Sequence, residues 1–437
     1  MLQQQKSEVK KELAILVGVQ LGHHAQDGLS LDDSLAELEL LADTAGLEVV
    51  GNLTQKLENP NSRTYLGTGK VEELKGLAEE LGANVVIFDD ELSPRHQREL
   101  EEELGESIKI IDRTALILDI FAQHASTREG MLQVEMAQLK YRLPRLTRAW
   151  THLARQAGGA SGRSGGVGGV GLRGPGEQQL EVDRREVKIN IKKLEDALEK
   201  VRENRSRHRD QRRKTNIPVV ALVGYTNAGK STLLNRLTDA TIYVADKLFA
   251  TVDPTTRQLE LPSGQEVLLT DTVGFIQKLP TQLVAAFRAT LEEISEANLL
   301  VHVVDISHLN AEAQRRSVLE TLELIEAVSI PTLTVYNKTD LVDQVVLAEL
   351  KNEHRPGALH ISAKTGEGIP ELLEAISNEV LKKFSRIDAL IPYTEGRLIS
   401  LLHEKGKVES IENLEKGMRV KGLVPKQIEA YFKPYIK

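Results

Sequence analysis

The sequence contains no cysteine among its 437 residues. Disulfide bonds and thiolate-ligated zinc sites are therefore excluded. No apolar run approaches the roughly 20 residues that a membrane-spanning helix requires. Residues 1–6 also lack the apolar core of a signal peptide. These absences predict a cytoplasmic protein without a membrane partner.

Aromatic residues make up only 4% of the chain, but hydrophobic residues as a whole reach 41%. That fraction is sufficient for buried cores, and the length favours about three domains. The net charge of −8 is unevenly distributed. Residues 140–214 contain 20 Lys and Arg against 9 Asp and Glu, a balance of +11, which leaves −19 for the rest. A basic block in an acidic protein indicates a polyanionic partner, although a solvated helix face is the alternative.

Strand and helix patterns alternate along the first 111 residues, with strands predicted at 14–21, 47–51, 85–88 and 108–111. This alternation predicts a small α/β domain with a mostly parallel sheet. Helices follow at about 113–125 and 129–143, and an apolar 3.6-residue period predicts another over 178–213. The last two helices are expected to form a hairpin with the glycine-rich loop 158–176 at or near its tip. That loop contains Arg163 and Arg173.

Residues 224–231, Gly-Tyr-Thr-Asn-Ala-Gly-Lys-Ser, fit the phosphate-loop pattern G-x-x-x-x-G-K-S/T. A β-branched apolar run precedes them and a helical pattern follows, as this loop requires. The glycines allow backbone N–H groups to surround a phosphate. Lys230 is expected to neutralise the β and γ oxygens, and the Ser231 hydroxyl to ligate Mg²⁺.

Two further segments are predicted to sense the γ-phosphate. Asp271 ends an apolar run and begins the motif Asp-x-x-Gly, whose Gly274 N–H is expected to meet that phosphate. The segment 247–257 is the candidate for the other switch, and one of its threonines should complete the Mg²⁺ shell. Thr251 is favoured, with Thr255 and Thr256 as alternatives.

The base is identified by the motif Asn337-Lys338-Thr339-Asp340. A carboxylate accepts two hydrogen bonds from guanine N1–H and N2–H₂, a pair that adenine does not offer, so the motif predicts GTP or GDP. The motif Ser362-Ala363-Lys364 follows a short strand, and its backbone N–H is expected to bind guanine O6. All four motifs occur in the order and spacing of a GTPase.

Two positions bear on catalysis. Ras-like switches place a glutamine after Asp-x-x-Gly to orient the attacking water, whereas this chain has Phe275. Slow intrinsic hydrolysis, or another catalytic device, is therefore expected. Asn227 offers one such device, because GTPases with asparagine there often hold K⁺; the alternative is that Asn227 only stabilises the loop. The predicted catalytic residues are Lys230, Asn227 and Gly274.

Together with a family resemblance, these motifs imply nucleotide contacts from five segments, and they imply Ser231 and Thr251 as the metal ligands. The contact residues are Gly224, Tyr225, Thr226, Asn227, Ala228, Gly229, Lys230, Ser231, Phe249, Ala250, Thr251, Val252, Asp253, Asp271, Thr272, Val273, Gly274, Asn337, Lys338, Thr339, Asp340, Ser362, Ala363 and Lys364.

The chain resembles the HflX family of translational GTPases over about residues 10–385. In the nucleotide-binding half, the likeness rests on the amino-acid sequences of residues 224–231, 249–257 and 271–276. In the N-terminal half, it rests on motifs that other GTPases do not share. These motifs are 141–146, Trp150, 152–156, 171–181 and 183–185. Gln178 departs from the family, which usually has threonine there.

The resemblance implies binding to the large ribosomal subunit, a GTPase activity stimulated there, and splitting or rescue of stalled or idle ribosomes. Residues 141–214 would then contact ribosomal RNA, in agreement with their charge. The expected architecture is an α/β protein with four parts. They are an α/β domain (1–140), a basic helical hairpin with its glycine-rich loop (141–214), a P-loop G domain (215–385) and a small α+β domain (386–437). A monomer is expected.

Two other functions remain open. One is a regulatory switch that binds protein partners and uses GTP as a state marker, which Phe275 favours and the basic block opposes. The other is an RNA-remodelling NTPase with a second, ATP-binding site in the N-terminal domain. The sequence contains no second G-x-x-x-x-G-K-S/T motif to support it.

Overall fold

The computed structural model describes residues 11–22, 30–146, 175–215, 217–238, 248–249, 254–278, 294–353, 357–426 and 428–436. The chain divides into two compact units. The first comprises Met1–Glu199, Lys247–Phe249 and Lys278–Phe287. The second comprises Lys200–Asp246, Ala250–Gln277 and Arg288–Lys437.

Strands and helices alternate in the first unit. Its elements are β1 (Leu13–Leu21), α1 (Leu31–Thr44), β2 (Glu48–Leu57), α2 (Thr68–Leu81), β3 (Val85–Phe88), α3 (Pro94–Leu104), β4 (Lys109–Asp112), α4 (Arg113–His124) and α5 (Arg128–Arg142). The four strands form a parallel sheet in the order β2-β1-β3-β4. Side-chain caps fix the starts of two helices. At α1 the Ser30 hydroxyl accepts a hydrogen bond from Asp33 N, and at α4 the Asp112 carboxylate accepts one from Ala115 N.

A buried cluster of charges lies at the carboxyl end of β3. Asp89 Oδ1 accepts hydrogen bonds from Arg113 Nη2 (2.6 Å) and Nε (3.1 Å). Its Oδ2 accepts from Ser34 Oγ (2.8 Å) and Lys278 Nζ (2.5 Å). Glu37 adds a second carboxylate 3.4 Å from Arg113 Nη1. Burial raises the pKa of Asp89, but Arg113 and Lys278 outweigh it and hold that pKa below its usual value.

The predicted long helix is present as α6 (Pro175–Thr215). It buries Ile191, Leu194 and Leu198, which share one helical face, and Glu195 pairs with Lys140 of α5 at 2.8 Å. This ion pair places the two helices side by side, as a hairpin requires. The glycine-rich loop predicted between them, with Arg163 and Arg173, lies almost wholly outside the described residues.

The described residues of the second unit form two sheets. Its elements are β5 (Val219–Gly224), α7 (Lys230–Thr238), β6 (Thr255–Glu260), β7 (Glu266–Asp271), β8 (Leu299–Asp305), α8 (Ala311–Leu324), β9 (Thr332–Asn337), α9 (Gln344–Glu353), β10 (Leu359–His360), α10 (Ile369–Leu381), β11 (Phe384–Ile391), α11 (Gly396–Lys405), β12 (Lys407–Leu414), β13 (Gly417–Pro425) and α12 (Glu429–Phe432). The larger sheet has the order β10-β9-β8-β5-β7-β6 and is parallel except for β6, which pairs antiparallel with β7. The predicted fold class is therefore confirmed.

Two strands differ from the sequence prediction. No strand was predicted at the end of the candidate switch 247–257, yet its last residues enter the edge strand β6. Strand β11 begins two residues before the predicted domain boundary at 386, so the boundary falls inside a strand. This strand belongs to the small antiparallel sheet β11-β13-β12, whose core includes Ile387, Val420 and Phe432. Within the described parts of the chain, no helix has both the length and the apolarity of a bilayer span.

Candidate functional site

The phosphate loop connects β5 to α7, with Gly224 as the last strand residue and Lys230 as the first helical one. Gly229 adopts φ +91°, a conformation that side chains disfavour. A Cβ at this position would also overlap Asn337 Nδ2. Asn227 adopts the left-handed conformation at φ +58°, which asparagine tolerates better than most residues. The backbone conformation of the loop thus favours glycine at position 229 and asparagine at position 227.

Lys230 is buried within this loop. Its Nζ donates hydrogen bonds to the carbonyl oxygens of Gly224 (3.1 Å) and Tyr225 (2.8 Å). Burial lowers the pKa of Lys230 to about 8, although the nearby Asp271 carboxylate partly opposes that shift. Because the buried ammonium group has little hydration to lose, it can bind an anion at a low desolvation cost.

Ser231 and Asp271 form the candidate metal site. Ser231 Oγ donates a hydrogen bond to Asp271 Oδ2 at 2.6 Å, which joins the start of α7 to the end of β7. A hydroxyl and a carboxylate oxygen are the hard donors that Mg²⁺ prefers, so the residues present fit that ion. The other predicted ligand, Thr251, lies outside the described residues. Of the alternatives, both on β6, Thr256 Oγ1 is hydrogen-bonded to Thr270 Oγ1 at 3.0 Å.

The Asp-x-x-Gly segment is bound to the phosphate loop through its backbone. Phe275 N donates to the carbonyl oxygen of Gly224 (3.1 Å), and Thr226 N donates to the carbonyl oxygen of Phe275 (2.7 Å). Gly274 lies so close that an added Cβ would stand 2.9 Å from Thr226 Cα and 3.1 Å from Lys230 Nζ. The phosphate loop and the Asp-x-x-Gly segment are therefore in direct contact.

Asn337 connects the base-recognition motif to two other loops. Its Nδ2 donates to the carbonyl oxygen of Ala228 (2.9 Å), and its Oδ1 accepts from Ala363 N (2.9 Å). Ser362 Oγ donates to Asp340 Oδ1 at 2.6 Å and so orients the carboxylate predicted to recognise guanine. The phosphate loop, the 337–340 motif and the 362–364 motif consequently form one hydrogen-bonded site.

Two supporting residues were not predicted from the sequence. Asp305 Oδ2 lies 2.7 Å from Lys338 Nζ and fixes that side chain. Arg236 Nε donates to the carbonyl oxygen of Ala363 (3.1 Å), and its Nη2 donates to that of Lys364. The sequence could have indicated Asp305, because it ends a buried strand that runs parallel to the strand ending at Asn337. Nothing in the sequence marked Arg236.

The other predicted switch is only partly described. Ala250, Thr251, Val252 and Asp253 lie outside the described residues. Phe249 belongs to the first unit, where its buried ring packs edge-on against Phe121 with centroids 4.6 Å apart. A nucleotide contact by Phe249 therefore stays a prediction.

Three family models match the chain in succession. Residues 32–122 match "GTP-binding GTPase N-terminal", and residues 124–212 match "GTP-binding GTPase Middle Region". Residues 219–338 match "50S ribosome-binding GTPase".

Curated relatives match over most of their length. The chain is 48% identical to the GTPase HflX of Caldanaerobacter subterraneus subsp. tengcongensis over 98% of this chain and 94% of that one. It is 44% identical to the GTPase HflX of Escherichia coli over 86% of each chain. A GTP-binding protein from Sulfolobus solfataricus in complex with GDP shares 24% identity at a TM-score of 0.40, over 85% of this chain and 99% of that one.

Proposed function

The chain belongs to the HflX family of GTPases, and on that premise we propose that it binds the large ribosomal subunit and splits or rescues stalled or idle ribosomes. The reaction is hydrolysis of GTP to GDP and phosphate. The contact would run through ribosomal RNA and residues 141–214. A cytoplasmic monomer is the proposed working form.

The charge of the middle region is the observation that carries this proposal. Residues 140–214 hold 20 basic against 9 acidic residues, and the 41-residue helix α6 spans much of that block. A polyphosphate backbone binds such a tract through release of counterions. The match of the nucleotide-binding region to a model described as "50S ribosome-binding GTPase" supports the same partner.

The nucleotide site is proposed to use the residues predicted from the motifs. Lys230 and the loop N–H groups would bind the β- and γ-phosphates, and Asp340 would bind guanine. Ser231 and Thr251 would hold Mg²⁺, which neutralises charge on the phosphate oxygens. The Ser231–Asp271 hydrogen bond supports this assignment, because it places two oxygen donors at the start of α7. K⁺ beside Asn227 is a further candidate cofactor.

GTP turnover by the purified protein, with and without purified large ribosomal subunits at two salt concentrations, tests the proposal. We expect a large stimulation that weakens steeply as salt rises. A variant with Arg207, Arg209, Arg212 and Arg213 changed to glutamine should lose most of the stimulation. In a matched control variant, four exposed basic residues of the first unit are changed to glutamine. They are Lys56, Lys75, Arg95 and Lys109, and this variant should retain the stimulation by large subunits.

The alternative is a GTP-dependent switch that acts on protein partners. Phe275 favours it, because the residue that usually orients water is missing. Absence of stimulation by large subunits, with tight GTP binding intact, would select this alternative. A second ATP site in the first unit is tested separately by ATP turnover in a Lys230→Ala variant, where residual turnover would support that site.

A further inference from the structure

Phe275 occupies the position that supplies the water-orienting glutamine in Ras-like switches. Its side chain is 2% exposed and has no polar atom. Its backbone N–H and carbonyl are both hydrogen-bonded to the phosphate loop. Phe275 therefore anchors the Asp-x-x-Gly segment and offers no polar side chain that could orient the water in GTP hydrolysis.

Gln277, two residues further on, is held beside the same loop. Its backbone N–H donates to the hydroxyl of Tyr225 at 2.8 Å. Tyr225 is the second residue of the phosphate loop and is 4% exposed, so its ring has little freedom to move. The Tyr225 hydroxyl thus fixes the backbone from which the Gln277 side chain extends.

The amide oxygen of Gln277 is a buried acceptor. Oε1 is shielded from solvent and has no hydrogen-bond partner among the described protein residues. An unsatisfied buried carbonyl is destabilising, and in native structures such a group calls for an explanation by function or by bound water. Within the described part of the chain, only the backbone of Gln277 is hydrogen-bonded to the phosphate loop, but its carboxamide can accept a hydrogen bond from a water molecule and donate one to a phosphate oxygen.

We propose that Gln277 is the catalytic residue that orients the attacking water during GTP hydrolysis, with Tyr225 as the residue that positions it. The water oxygen bonds to the γ-phosphorus, and the bond from that phosphorus to the β–γ bridging oxygen breaks. The proton of the water passes to the released phosphate. Gln277 stays neutral, acts by hydrogen bonding alone and takes no proton from the water.

The test uses the full-length protein in single-turnover GTP hydrolysis. Gln277→Ala should lower the hydrolysis rate about 10- to 100-fold, as expected when a reacting group loses its orientation. The dissociation constant for a fluorescent GTP analogue should stay within about twofold, since the proposed role concerns the transition state. The variant should also lose binding of aluminium fluoride together with GDP, which mimics the transferring phosphoryl group.

Gln265→Ala is the matched control. Gln265 lies in the turn between β6 and β7, and its Oε1 is likewise buried without a partner among the described residues. This variant should hydrolyse GTP and bind aluminium fluoride like the unaltered protein. Equal loss in both variants would assign the Gln277 effect to general destabilisation and overturn the proposal.

Tyr225→Phe provides an independent test that leaves the Gln277 side chain intact. Loss of its hydroxyl should slow hydrolysis less than Gln277→Ala does, again with GTP affinity retained. In the double variant the two effects should not add, because both act on the same water. Unchanged hydrolysis in both single variants, or additive losses in the double variant, would contradict the proposal.

Discussion

Ser231 Oγ donates a hydrogen bond of 2.6 Å to Asp271 Oδ2, across 40 residues of sequence. The pair unites the helix that follows the phosphate loop with the strand that leads into Asp-x-x-Gly. Because Asp271 is fully buried, its carboxylate depends on such partners.

The Ser231–Asp271 pair leads to the first prediction. Ser231→Ala removes one oxygen donor and should reduce Mg²⁺-dependent GTP affinity by at least about tenfold, corresponding to roughly 1.4 kcal/mol. Titration of GTP binding against Mg²⁺ measures the effect. Ser400→Ala, in helix α11, removes a hydroxyl outside the site and serves as the control. An unchanged Mg²⁺ midpoint in Ser231→Ala would refute the metal assignment.

Lys230 should couple GTP binding to pH. Burial lowers its pKa to about 8, whereas bound phosphates favour its charged form and raise that pKa. Above pH 8 the amine of the free protein is therefore largely neutral and must take up a proton on binding. GTP affinity should fall as pH rises through 8. Calorimetry at pH 9 in two buffers of different ionisation enthalpy should show proton uptake that is absent at pH 7 and in Lys230→Ala.

Ser362 should set the strength of guanine recognition. Its hydroxyl donates to Asp340 Oδ1 at 2.6 Å, and a hydrogen bond to a charged group contributes about 1.5–3 kcal/mol. Ser362→Ala should weaken GTP and GDP binding about tenfold while leaving the weak binding of ATP unchanged. Competition against a fluorescent guanine nucleotide measures both. Equal losses for GTP and ATP would point to damage of the phosphate loop instead.

The K⁺ hypothesis can be separated from a purely structural role of Asn227. Turnover in K⁺ should exceed turnover in Na⁺ at equal ionic strength, and equal rates would reject the hypothesis. Asn227→Gly tolerates the left-handed backbone, at φ +58° in this structure, and removes the side chain with its carboxamide. If the carboxamide holds K⁺, this variant should lose the K⁺ stimulation and retain GTP affinity.

Arg113→Met should strongly destabilise the first unit. The substitution keeps the volume but leaves the buried carboxylates of Asp89 and Glu37 without their guanidinium partner. Breaking one side of a buried ion pair costs about 3–5 kcal/mol. Denaturant unfolding followed by circular dichroism measures the loss. The exposed Arg63, which pairs with Glu99, is the control, because Arg63→Met should change stability by less than about 1 kcal/mol.

The sequence predicted most elements whose apolar spacing was clear. The strand at Val85–Phe88 was predicted to the residue, because all four of its side chains are buried. The edge strand β6 was missed, since Thr255–Glu260 is polar and buries only Leu259. Strand β11 does alternate, with Ile387, Ala389 and Ile391 inward, but no strand was predicted there, because the domain boundary was placed at residue 386.

The motifs likewise predicted segments that the structure joins by hydrogen bonds, but not the residues that support them. A motif fixes residue types along the chain, so it indicates which residues form the phosphate loop and the base-recognition segment. The hydrogen bonds of Arg236 to 363–364 and of Tyr225 to Gln277 join segments 127 and 52 residues apart. Such contacts depend on how the strands are ordered in the sheet, which local spacing does not specify.

The hydrogen bonds of Asn337 to two loops also determine what its deamidation would do to this site. Asparagine is among the thermolabile residues, and its deamidation replaces the Nδ2 donor with a second carboxylate oxygen. That oxygen would face the carbonyl of Ala228, which accepts a hydrogen bond from Nδ2 at present. One attraction between the phosphate loop and the base-recognition motif would become a repulsion. Deamidation of Asn337 would thus weaken the connection between these two segments, and mass spectrometry would detect it as a mass increase at this side chain.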